Sequence, residues 1–155
     1  MKVIKIMFDT NVILDVLLAR EPFVAAASEL FIALETGQLQ GLIAATTVTT
    51  IFYLATKVLG ASSAKNSISR LLQLFEVAPI NRVVLEQAVN TSFSDFEDAI
   101  LYQSAVQAGA HGLVTRDIQG FKKAELPIYT PMELLKSFLP QVSGITEPVP
   151  MKGMN

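Results

Sequence analysis

The apolar positions along the chain fall into runs whose period changes from segment to segment. Val3, Ile4, Ile6, Met7 and Phe8 form a run broken only by Lys5. Such a run fits a strand covered on both faces in a parallel sheet, where strict alternation is lost. From Asn11 onward, Val12, Ile13, Leu14, Val16, Leu17 and Leu18 take the spacing of a helix with two buried sides. Pro22 suits the first turn of a second helix, which runs from Phe23 to Glu35 and stops at Thr36-Gly37. A strand over Gly41 to Ala45 and a helix over Thr47 to Leu59 follow. Ser62 or Ser63 caps the next helix, which reaches Leu74 and leads into a strand over Phe75 to Ile80. Asn81 starts a fifth helix to Thr91, and Ser94 to Asp98 opens a sixth that ends at Ala108. Ser94 and Glu97 stand at capping-box spacing. Strands at Gly112 to Thr115 and Pro127 to Tyr129, then a helix from Pro131 to Leu139, complete the pattern.

This alternation predicts an α/β fold: a three-layer α/β/α sandwich around a five-stranded parallel sheet, with right-handed crossovers. Residues 1–139 form one domain in this reading. From Pro140 the chain offers little to pack, which predicts a mobile tail over 140–155.

Composition narrows the picture. A chain of 155 residues, 51% hydrophobic and 17% charged, can fill a core and is not generally disordered. The net charge of −2 shows no broad basic surface, so any contact with nucleic acid has to be local. There is no cysteine, which excludes disulfides, thiol catalysis and cysteine-based zinc sites and suits a cytoplasmic protein. The N-terminus has no signal-peptide layout. Thr36 to Thr56 carries no charge, yet its threonines, glutamines and glycines make it a strand and buried helix rather than a membrane span.

Three carboxylates fall where an open α/β sheet places its active crevice. Asp9 ends the first strand, Asp117 follows the fourth, and Asp98 lies in the first turn of the helix leading into that strand. All three therefore reach the carboxyl edge of the sheet. Singly, each has a plainer explanation as a helix cap, a dipole-stabilising acid or a turn residue. Together they form an oxygen-rich site of the kind that Mg²⁺ or Mn²⁺ prefers. Asp95, one helical turn from Asp98, is placed to join them, whereas Glu97 points away and serves the cap. Thr10, Asn11 and Thr115 add hydroxyl and amide groups that can orient a carboxylate or a water. Arg116 and Lys122 are candidate contacts for a phosphate, although an ordinary solvated turn also explains Lys122 and Lys123. His111, the sole histidine, has no visible partner and reads as structural.

With these residues in place, the chain resembles the PIN-domain family, the fold of many VapC-like toxin ribonucleases, over about Val3 to Leu139. The resemblance rests on three stretches: Phe8-Asp9-Thr10-Asn11-Val12-Ile13-Leu14-Asp15, then Asp95-Phe96-Glu97-Asp98-Ala99, then Leu113-Val114-Thr115-Arg116-Asp117 with Phe121. It implies a metal-dependent endoribonuclease that cleaves single-stranded RNA with Mg²⁺ or Mn²⁺, the toxin of a toxin–antitoxin pair. An antitoxin partner and a homodimer are implied with it. Asp9, Asp98 and Asp117 match the family's first, third and fourth acidic positions. The second, a Glu in the helix after strand two, falls on Thr50, and no acid occurs between Thr36 and Phe75. Thr50 brings a hydroxyl but no charge. Asp15 could replace the missing acid, although a place on the helix surface is the simpler reading. A PIN domain with a weakened nuclease, acting as a binding module for RNA or protein, is the alternative. A haloacid-dehalogenase phosphatase fits less well, because Asn11 replaces the second aspartate which that chemistry needs.

Overall fold

The computed structural model describes residues 2–138, so Leu139 and the expected tail lie outside the described residues. Five strands form one sheet in the order β3-β2-β1-β4-β5, and every pair is parallel. They are β1 (Lys5–Phe8), β2 (Gln40–Ala44), β3 (Glu76–Ala78), β4 (Gly112–Val114) and β5 (Ile128–Tyr129). Seven helices connect and follow them: α1 (Thr10–Leu17), α2 (Val24–Glu35), α3 (Ala45–Leu59), α4 (Ala61–Leu74), α5 (Arg82–Val89), α6 (Phe96–Gln107) and α7 (Pro131–Phe138). A 3-10 turn spans Ile118–Phe121. The α/β sandwich with a five-stranded parallel sheet is the architecture the hydrophobic pattern predicts.

Successive strand residues enter opposite cores, as strand geometry requires. Ile6, Phe8, Ile43 and Val114 pack with Val12, Ile13, Leu30, Ile51, Leu71 and Leu134 from α1, α2, α3, α4 and α7. Met7, Leu42 and Leu113 point the other way, onto Leu101, Tyr102 and Ala105 of α6. A smaller apolar cluster joins α5 to α6 through Val84, Ala88, Ala99 and Ile100. Both faces of the sheet are therefore covered, which is why its central strands read as apolar runs without strict alternation.

Several boundaries differ from the sequence reading. β1 starts at Lys5, and Val3 is exposed. α1 starts at Thr10 because Asp9 caps it, its carboxylate accepting from the Thr10 amide at 2.7 Å. α3 starts at Ala45, directly from β2. Gly60, not Ser62 or Ser63, precedes α4 as its N-cap residue. Its φ of 89° lies in the left-handed region that glycine tolerates. β3 ends at Ala78, before Pro79, which has no N–H to add to a ladder. Thr36–Thr56 becomes the end of one helix, β2 and most of α3, and no helix among the described residues is long and apolar enough to cross a membrane.

The face carrying α1 and α2 is fixed by three rings. Phe8, Phe31 and Phe75 meet edge-on with centroids 5.1–6.2 Å apart, a favoured aromatic geometry. Gly41 of β2 lies under this trio. A Cβ at Gly41 would stand 2.7 Å from the Phe75 ring and 2.9 Å from a Leu34 methyl. Because Phe75 is locked between two other rings, it cannot step aside cheaply. Gly41→Ala should lower the unfolding free energy by about 1–3 kcal/mol, read as a shift in the urea midpoint at unchanged slope.

Candidate functional site

The order of the strands sets the place of the site. From β1 the chain reaches β2 on one side, while β4 lies on the other. The crevice above the carboxyl ends of β1 and β4 is thus the switch point of the sheet, where ligands of such folds bind. A cavity of about 560 Å³ opens there. Its wall carries Asp9, Thr10 and Asn11 from the start of α1, Thr46, Thr47 and Thr50 from α3, Asp95, Glu97 and Asp98 from the start of α6, and Asp117 after β4. The three acids singled out in the sequence, together with Asp95, Asn11, Thr10 and Thr50, therefore meet in one crevice.

Thr115 joins two of the acids. It is fully buried one residue beyond β4, and its backbone amide donates to the Tyr129 carbonyl at 2.8 Å. Its hydroxyl donates to Asp9 Oδ2 at 2.7 Å and accepts the Asp117 amide at 2.9 Å. The other Asp9 oxygen, Oδ1, receives the Thr10 amide. The Thr10 hydroxyl in turn meets the buried Thr47 hydroxyl at 3.0 Å. Asp9 is thereby held on both oxygens, and α1 is tied to α3 beside it. Asp117 caps the 3-10 turn, its Oδ1 accepting from the Gly120 amide at 3.3 Å.

Gly120 lies between the other two acids. A Cβ at Gly120 would stand 2.9 Å from Asp98 Oδ2 and 3.1 Å from Asp117 Oδ2. A side chain at position 120 would push both carboxylates away from their present positions.

Electrostatics follow from this crowding. Burial raises the pKa of Asp9, and the Asp117 charge raises it further; the Thr115 hydroxyl, the Thr10 amide and the Arg116 charge oppose the rise. Asp98 is pushed up to about 7, first by burial and then by the charges of Asp95, Asp9, Asp117 and Glu97. These acids feel one another as like charges. A divalent cation would relieve that repulsion, and hard oxygen donors around the small space beside Gly120 suit one. Among the described residues no three acidic side chains already form a cage around an ion position. Mg²⁺ is commonly held by one or two carboxylates and keeps several waters, so it does not require such a cage.

Other expectations need correction. Asp95, not Ser94, caps α6: its Oδ1 accepts the Glu97 and Asp98 amides at 2.8 and 3.1 Å. An aspartate caps at least as well as a serine, and here it stands one residue closer to the helix. Glu97 does not close a capping box; its side chain lines the crevice and its charge acts on Asp98. Asp15 is not on the helix surface. It is fully buried and paired with Arg20 and Arg116. His111 does have a partner: its Nδ1 accepts the Lys5 amide at 2.9 Å, in keeping with a structural role. Thr50 is exposed at the crevice wall, its hydroxyl donating to the Thr46 carbonyl at 3.2 Å. Lys122 is exposed and lines a smaller depression with Ser92, Phe93 and Lys123 that adjoins the acids at Gly120.

Thr47 and Gly120 are the residues that sequence reasoning missed. For Thr47 a signal existed: Thr46, Thr47 and Thr50 share one helix side by their i, i+3, i+4 spacing.

Comparison with known proteins gives a consistent result. The sequence model of the PIN domain matches residues 5–119. No curated protein matches the chain. Among solved structures, FitAB bound to a DNA fragment is similar with a TM-score of 0.65 and 20% identity, over 81% of this chain and 94% of that one. A toxin–antitoxin complex from Klebsiella pneumoniae is similar with a TM-score of 0.62 and 25% identity, over 81% and 97%. The VapC20 toxin of Mycobacterium tuberculosis, which cleaves the sarcin–ricin loop, is similar with a TM-score of 0.57 and 16% identity, over 70% and 86%.

The raised pKa of Asp98 has a definite sign. Between its ordinary value of 3.8 and about 7, the folded chain holds a proton that the unfolded chain has released. Stability from this group is complete below 3.8 and is lost as pH rises through about 7. In chelator-free and cation-free buffer at pH 8, Asp98→Asn should therefore melt higher than wild type, with the gap closing towards pH 4. Mn²⁺ at pH 8 should raise the wild-type Tm and leave the variant nearly unchanged. Thermal melts across pH, with and without Mn²⁺, check both expectations.

Proposed function

The chain belongs to the PIN-domain family, and from that premise we propose that it is a divalent-cation-dependent endoribonuclease of single-stranded RNA, the toxin of a toxin–antitoxin pair. The observation that carries this reading is the meeting of Asp9, Asp98 and Asp117 in one crevice, with Thr115 fixing two of them. The same three residues would hold Mg²⁺ or Mn²⁺. Such an ion, when bound, supplies Lewis-acid activation of water and offsets charge on the phosphoryl group.

The chain's own groups contribute the rest. The hydrogen bonds from Thr115 and Thr10 hold the Asp9 carboxylate in one orientation, so little reorganisation is needed when charge develops. Burial and the neighbouring acids push the Asp98 carboxyl up to about 7, and a bound cation would offset that crowding and favour the carboxylate that serves as its ligand. Asn11 and Thr50 present an amide and a hydroxyl at the crevice wall. The acids themselves repel RNA, so the strand must be drawn by nearby bases, of which Arg116 and Lys122 are the nearest in sequence to Asp117. Binding should therefore weaken with salt.

Toxins of this fold in the Klebsiella pneumoniae structure are captured with an antitoxin, and an antitoxin is accordingly the expected protein partner here. A homodimer is supported by exposed apolar side chains, including Val83, Leu85 and Val89 of α5. The composition and the site suit the cytoplasm.

Thr50 favours a second reading, in which the domain binds RNA or protein with weakened chemistry. With three acids where the resemblance implies four, divalent affinity should be lower and a paired-ion site less stable. Two measurements separate the readings. Wild type should cut a single-stranded RNA only with Mg²⁺ or Mn²⁺, and Asp9→Asn should lower the rate by at least about 100-fold, since it removes a charged group aimed at the reacting centre. No cutting at millimolar cation would favour the binding module. Thr50→Glu should tighten Mn²⁺ binding by about tenfold in a calorimetric titration; unchanged or weaker binding would show that position 50 does not serve the ion.

A further inference from the structure

Asp15 is the most deeply buried charge among the described residues, at 0% exposure, and nothing in the crevice chemistry uses it directly. Its two oxygens meet two arginines. Arg20 Nε donates to Oδ1 at 2.9 Å, and Arg116 Nε lies 2.9 Å from Oδ2. The second contact is an ion pair without hydrogen-bond alignment, so charge rather than a directed bond holds it. The Arg116 guanidinium also lies over the Phe23 ring, 3.8 Å from its centroid, a cation–π contact. Both partners lead to the crevice. Arg20 Nη2 reaches the Asn11 carbonyl at 3.3 Å and Asn11 Oδ1 at 3.4 Å. Arg116 stands between Thr115 and Asp117, and its charge is felt at Asp9.

A buried carboxylate with two arginines is poorly explained by stability alone, because desolvation offsets much of the attraction. It is well suited to orientation. Asp15 meets Arg116 at Nε and Phe23 lies against the face of its guanidinium, while the side chain stays 28% exposed. Arginine so held keeps two terminal nitrogens in a rigid plane, the geometry that suits a phosphate.

We infer that Asp15 is a positioning residue that holds Arg116 to contact a backbone phosphate of the RNA strand bound across the acidic crevice. This inference rests on the ribonuclease reading above. Arg116 is then the binding group, and Asp15 acts only through it.

The test uses a fluorescein-labelled single-stranded RNA oligonucleotide and full-length protein in an Asp9→Asn background, chosen to suppress cutting during the measurement. Affinity is measured over a range of salt with Mg²⁺ present. Each single-strand phosphate contact adds about 0.7 to the slope of log affinity against log salt. Arg116→Gln should weaken binding by about tenfold at 0.1 M salt and lower the slope by about 0.7. Asp15→Asn should do the same, and the double variant should be no weaker than Arg116→Gln alone. Arg116→Lys should recover the slope but only part of the affinity, since it keeps the charge and loses the fork. A merely structural Asp15 would leave the slope of the folded fraction unchanged, and that result would overturn the inference. Arg116→Gln leaves Asp15 paired with Arg20, so it should fold. If Asp15→Asn does not fold, the Arg116 Nε–H signal of the wild-type protein decides by NMR. Slow exchange with solvent supports the clamp, and exchange as fast as that of a free arginine overturns it. A background protein that binds no RNA, with a wild type that cuts none, overturns the ribonuclease reading and this inference with it; RNA binding that is intact and indifferent to Asp15 and Arg116 overturns this inference alone.

Discussion

The buried hydroxyl of Thr115 is the group on which the crevice depends. It has one proton, and that proton is committed to Asp9 Oδ2; its lone pair takes the Asp117 amide. Two acids from opposite ends of the domain, 106 residues apart for Thr115 and Asp9, are thus brought to one atom. The amide of the same residue is fixed to Tyr129 of β5. Pairing of the edge strand is therefore felt directly at the site. Asp9 also caps α1 through its other oxygen, so helix start, strand end and acid position are one local arrangement.

Crowded negative charge is the consequence. Burial and like-charge contact push Asp98 up to about 7 and raise Asp9 as well. A fold does not gain stability from carboxylates in that state; it keeps them against their own repulsion. Gly120 leaves room for the same crowding, since a Cβ there would stand 2.9 Å from Asp98 Oδ2 and 3.1 Å from Asp117 Oδ2. Such an arrangement is understandable where a cation and a phosphodiester are to be received. Opposite charge is supplied just outside the crevice, where Asp15 gathers Arg20 and Arg116.

How much of this could be read from the sequence differs residue by residue. Asp9, Asp98 and Asp117 were legible, because strand direction in a parallel sheet and the polarity of the preceding helix send all three to one edge. The two-sided burial of β1 was legible from its apolar run, which only Lys5 interrupts. Helix starts were less so: Asp95 and Ser94 are both good caps, and only the turn geometry selects between them. Asp15 was misread because a lone acid within a helix normally faces water. Its burial depends on Arg20 and on Arg116, the latter from a distant segment, and no local pattern announces that meeting. Thr47 and Gly120 escaped for a similar reason: their roles arise from what the fold places opposite them.

The central claim is that three acids, with Thr50 beside them in place of a fourth, form the seat of a divalent cation. An anomalous difference map from crystals soaked in Mn²⁺ tests it most directly. The account predicts a peak in the crevice within coordination distance of carboxylate oxygens of Asp9, Asp98 or Asp117, with water filling the remaining positions. A map with no peak there at millimolar Mn²⁺, or with its peak on another acidic cluster, would contradict it.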